Sequence, residues 1–131
     1  MSTTNTSVRT PLARVRHLGS AHAGTSDFFR QRITALGMLL LVLPVVVIVM
    51  MLMGSNHAGA KTTLGSPVVA IILVLFVIAS CWHMKIGMQV VIEDYVQDEK
   101  LKLLSVIANH FFVWVVGLAA IYALVKLSSG V

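Results

Sequence analysis

The chain has 131 residues, 57 % of them hydrophobic and only 11 % charged, with a formal net charge of +5. Soluble domains carry roughly 25 % charged residues, so this composition belongs to a membrane protein, and its three apolar runs leave too little chain for a separate soluble domain. The basic excess has a topological reading that needs no nucleic acid, since basic flanks report insertion and contact with anionic headgroups.

Residues 1–26 read as a cytoplasmic N-terminal arm, rich in Ser, Thr and Arg and poor in acids. The apolar run that follows is too long for a signal-peptide core, and no credible cleavage site precedes it, so it is expected to remain in the mature protein. Pro11, Gly19 and Gly24 argue against a long amphipathic targeting helix. That favours a bacterial inner membrane, with the mitochondrial inner membrane as the alternative. The remainder, 27–131, reads as one three-helix transmembrane domain.

The first span is expected over about 30–53, starting near Phe28 with Ser26 or Asp27 as cap. Ile33 to Met53 carries no charge, and Pro44 inside it is tolerated by membrane helices. The segment GSNHAGAKTTLGSP, 54–67, is turn chemistry and reads as a short outer loop in which His57 meets water. The second span is expected over 67–95 and the third over 101–126, with Asp98 and Glu99 at the positive end of the last helix dipole. Each is long enough for a hydrocarbon core of about 30 Å. Arg9, Arg14, Arg16, Arg30, Arg32, Lys100 and Lys102 fall on one side, against Lys61 and Lys126 on the other. Positive-inside then puts the N-terminus in the cytoplasm and the C-terminus in the periplasm. Cys81 lies within span two, where it has no intrachain disulfide partner and reads as a small apolar filler.

Span two holds the chemistry. At 100° per residue His83, Gly87, Val90 and Asp94 share one face, which Phe76, Ala79 and Ser80 continue. Two readings stand: close helix packing through small residues, or a haem-ligating imidazole with room for a flat macrocycle beside it. Asp94 and Tyr95 end the helix, where an acid meets the negative end of the dipole and needs a compensating partner or water. Tyr95 is either an interfacial anchor or a donor to a carbonyl oxygen. Glu93 points to another face and reads as solvated. Lys85, nearly opposite His83, is expected to snorkel. His17 and His22 belong to the arm. His110 lies at a depth similar to that of His83, which leaves a polar packing role or ligation of one haem by both histidines.

The run HMKIGMQVVIEDYV, 83–96, resembles the second transmembrane helix of the small hydrophobic membrane-anchor proteins of succinate dehydrogenase. In that family a haem-ligating His is followed by Ile-Gly-Met and then by Asp-Tyr, at the spacing of His83, Asp94 and Tyr95. The run LGSAHAGTSDFFRQRITA, 18–35, is similar to the family's pre-helix segment, with its Asp-Phe and Arg-x-Thr-Ala. His110 and the arm before Leu18 have no counterpart in the pattern. The resemblance implies half of a heterodimeric anchor bundle, paired with a three-helix cytochrome b protein and sharing one haem b with it. It implies His83 as the axial iron ligand, Arg32 at a haem propionate, and Tyr95 with Asp94 at a ubiquinone site, with no catalytic residue in this chain. It further implies docking of the iron–sulfur protein and, through it, the flavoprotein of succinate dehydrogenase, and a place in the tricarboxylic acid cycle and aerobic electron transport. The alternatives are a cytochrome b anchor of another membrane oxidoreductase, such as a formate dehydrogenase, and a non-redox transporter or assembly protein. The first would need more in-membrane histidines, and the second an acid near the bilayer midplane.

Overall fold

The computed structural model describes residues 23–129. Most of the expected arm, including His17 and His22, lies outside the described residues, as does Gly130. The described residues form α1 (Ala23–Met53), α2 (His57–Gly65), α3 (Pro67–Tyr95) and α4 (Glu99–Ser129). The architecture is all-α, as expected, and α1, α3 and α4 are long and apolar enough to cross a membrane. At 1.5 Å per residue a helix of 29 residues reaches about 43 Å, beyond the roughly 30 Å of hydrocarbon.

Besides α4, which runs a few residues past its expected span at each end, two features differ from the sequence expectation. α1 begins at Ala23 and not near Phe28, so Ser26 and Asp27 lie inside the helix and do not cap it. Asp27 instead pairs with Arg30, one turn on, at 3.7 Å, a spacing that supports helix. The second difference is α2, which occupies most of the segment expected to be loop. Asn56 explains it: its Oδ1 accepts the Gly59 N–H at 2.8 Å, which makes a turn-forming residue into a helix cap. Ala58, Ala60 and Lys61 are good helix formers and continue from it. Ser66, extended at φ −65° and ψ 127°, separates α2 from Pro67 in the first turn of α3.

α3 ends at Tyr95, with the Val96 N–H donating to the Ile92 carbonyl. A short connection later Asp98 caps α4, its Oδ1 accepting the Leu101 N–H at 2.8 Å. Pro44 lies inside α1.

The three long helices run antiparallel in sequence order, and α3 is the shared neighbour. Among the described residues α1 and α4 each pack on α3, no Cα of one comes within 8 Å of a Cα of the other, and α2 touches all three at one end. Close approach of α3 and α4 depends on Gly117, where a Cβ would lie 3.1 Å from Cys81 Sγ. The buried Asn109 adds a polar tie, its Nδ2 donating to the Lys85 carbonyl at 3.0 Å. Bonds of this kind between membrane helices contribute about 0.6 to 2 kcal/mol. Gly65 lets the end of α2 reach the last turn of α4, because a Cβ there would lie 3.3 Å from the Leu127 carbonyl. The interior is small: Ile48, Ala70, Ile86, Ile92 and Val113 are its buried apolar residues. Large side chains such as Leu40, Phe111 and Trp114 face outward. Hydrocarbon accepts that surface, whereas water would not.

Candidate functional site

His83 is half-buried and turned toward α1. Its Nδ1 lies 3.2 Å from Thr34 Oγ1 and its Nε2 lies 3.4 Å from Gln31 Nε2. Gln31 and Thr34 are three residues apart and so share the α1 face that meets α3. The Thr34 hydroxyl also lies 2.9 Å from the Arg30 carbonyl and 3.1 Å from the Gln31 carbonyl, so its proton returns to its own helix. Gly87, one turn beyond His83, leaves a notch that the Gln31 carboxamide enters; a Cβ at 87 would stand 3.3 Å from Gln31 Nε2. Gln31 Oε1 and, on the His83 face of α3, Ser80 Oγ are buried without a hydrogen-bond partner. Unsatisfied polar atoms in such a place are costly, and the described residues supply no partner for either.

This donor set suits an axial haem ligand. An imidazole needs one nitrogen held by the protein and the other free to coordinate. Here one nitrogen is within hydrogen-bonding reach of a hydroxyl, and the other is covered only at long range by a flexible carboxamide seated in a glycine notch. Among the described residues no group of three or more His, Cys, Asp or Glu gathers to hold a metal ion.

The other expected residues are placed as follows. Arg32 is exposed, with its guanidinium 4.9 Å above the centre of the Phe28 ring. Among the described residues no hydrogen bond or ion pair joins it to His83, although it adjoins Gln31 in sequence. Asp94 and Tyr95 stand at the end of α3, both exposed, Tyr95 by 80 %. Eleven residues of helix put Asp94 about 16 Å from His83. Glu93 is separate, its Oε1 accepting from Gln89 Nε2 at 2.8 Å.

His110 and His83 are not brought together. The His110 Nδ1–H donates to the Val106 carbonyl of its own helix at 2.8 Å, while His83 faces α1, whose backbone does not approach that of α4 among the described residues. Lys85 lies away from His83, half-buried in a cavity of about 180 Å³ between α3 and α4 with Trp82, Cys81, Trp114 and Gly117. Cys81 is a free thiol of intermediate exposure at the edge of that cavity, half-buried where the sequence suggested a buried filler. Thr34, Gln31 and Asn109 are the residues that sequence reasoning passed over. The signal for the first two was a pair of polar side chains spaced by three at the mouth of an apolar run.

Residues 6–117 match the family described as succinate dehydrogenase/fumarate reductase transmembrane subunit. The chain is 31 % identical over 121 residues to the succinate dehydrogenase hydrophobic membrane anchor subunit of Paracoccus denitrificans, covering 92 % of this chain and 93 % of that protein. It is 34 % identical over 104 residues to the protein of the same name from Rickettsia bellii (strain RML369-C), covering 79 % and 83 %. No solved structure matches it. The family match runs through α1, α2, α3 and much of α4, and so takes in His83 and every side chain around it. On that match and its three apolar helices, the chain is a multi-pass membrane protein that belongs to the succinate dehydrogenase/fumarate reductase transmembrane subunits.

Proposed function

We propose that the chain is the hydrophobic anchor of a succinate:ubiquinone oxidoreductase, holding half of a shared haem b and part of a ubiquinone-reducing site. The observation that carries the haem assignment is the His83 imidazole, within reach of Thr34 at one nitrogen and beside the Gly87 notch at the other. Haem b, when bound, supplies a one-electron redox centre. His83 would hold the iron together with a ligand from the cytochrome b protein. Arg32, at the same end of the bundle, carries a guanidinium suited to a propionate.

Tyr95 and Asp94 would serve the quinone. The phenol is a donor at the end of α3, suited to orienting a quinone carbonyl, and the neighbouring carboxylate attracts water from which protons are drawn. Neither needs a partner from within this chain, in keeping with their exposure. The apolar outer faces would meet lipid and the cytochrome b protein, and the end bearing Tyr95 would meet the iron–sulfur protein, which carries the flavoprotein. In the bacterial inner membrane that end is cytoplasmic, with the N-terminus on the same side and the C-terminus in the periplasm.

Purified with its partners, the wild-type complex should show a b-type band on reduction and succinate-dependent ubiquinone reduction. His83→Ala should abolish the band. A full band in that variant removes His83 as ligand, and failure of the flavoprotein and iron–sulfur protein to copurify removes the anchor role.

A further inference from the structure

We propose that Thr34 is the positioning residue of the iron ligand: its hydroxyl oxygen accepts the His83 Nδ1 proton, fixing the tautomer whose lone pair lies on Nε2. The inference rests on the haem reading above and extends it to a residue on a different helix. A threonine hydroxyl has one proton to give. Here two main-chain carbonyls of the preceding turn compete for it, at 2.9 and 3.1 Å. What the oxygen offers His83 at 3.2 Å is therefore a lone pair, and only a protonated Nδ1 completes that contact.

The other nitrogen agrees with this polarity. Nε2 faces the amide nitrogen of Gln31 at 3.4 Å, a donor, so Nε2 is the accepting atom. The carboxamide holds the ligand position loosely, with its own Oε1 buried and unpartnered. Moving it aside breaks one long contact and frees a notch that Gly87 keeps open. Thr34 remains in place, because its hydroxyl is tied to the α1 backbone. An outer partner of this kind fixes the ring's rotation and raises the basicity of the ligating nitrogen. A more basic ligand favours ferric over ferrous iron, so Thr34 acts to lower the haem potential.

The test uses the intact complex and compares Thr34→Val, which keeps shape without the hydroxyl, with Thr34→Ser, which keeps the hydroxyl. Thr34→Ala is the second hydroxyl-free variant should valine disturb assembly. Thr34→Val is expected to shift the haem midpoint potential upward in a spectroelectrochemical titration and to weaken haem retention about tenfold, the low end for loss of an outer partner. Thr34→Ser is expected to restore both. An unchanged potential with full haem in the hydroxyl-free variants overturns the proposal, as does a serine variant that behaves like valine. Failure of the underlying haem reading looks different: the wild-type complex lacks a b-type band, or His83→Ala retains it.

Discussion

At the scale of single residues, the two ends of the His83 face have opposite surroundings. His83 is half-buried against Gln31 and Thr34 of its own chain, whereas Tyr95 is 80 % exposed and has no partner among the described residues. A phenol so free is either an interfacial anchor or one half of a contact completed by another molecule. Tyr95→Phe separates the two. Loss of one hydrogen bond to a quinone carbonyl should lower succinate-driven ubiquinone reduction about tenfold, the equivalent of roughly 1.4 kcal/mol. Succinate oxidation with a soluble artificial acceptor should stay unchanged, and equal loss of both activities would make Tyr95 structural. The spacing of His83, Asp94 and Tyr95 was legible because all three stand on one helix with a fixed period. Gln31 and Thr34 were not, since they lie 52 and 49 residues from the histidine they meet. Only the packing of α1 on α3 creates that contact.

At the scale of helices, the α3–α4 seam rests on small atoms. A methyl group added at Gly117 would come within 3.1 Å of Cys81 Sγ but 3.9 Å from Cys81 Cβ. Gly117→Ala should therefore destabilise the assembled complex by about 1 kcal/mol through overpacking. Removing the sulfur with Cys81→Ala should recover most of that loss, because the remaining carbon is at ordinary contact distance. Thermal denaturation of the two single variants and the double variant measures this directly, and a double variant no better than Gly117→Ala alone places the strain elsewhere. The long helices could be read from charge-free runs of hydrocarbon-spanning length. α2 could not, because Gly, Asn, Ser and Pro serve equally as turn formers and as helix caps. Asn56 Oδ1 caps it by accepting the Gly59 N–H, and its packing against the three long helices holds it in place. The early start of α1 has a similar cause, since the polar residues ahead of its apolar run carry no periodic signal.

At the scale of the whole molecule, three spans and their order follow from composition, but their lateral arrangement does not. Each long helix is apolar nearly all round, so no polar face announces which side meets a neighbour and which meets lipid. The result is a row in which α3 is flanked on both sides and the outer helices are apart. Disturbances on the two flanks should be thermodynamically separable. The double variant Thr34→Val with Gly117→Ala is expected to lose stability by the sum of its single losses, to within about 0.3 to 0.5 kcal/mol. A larger departure from additivity in the assembled complex would mean that α3 transmits between its flanks, and that the surroundings of His83 sense how tightly the opposite seam is closed.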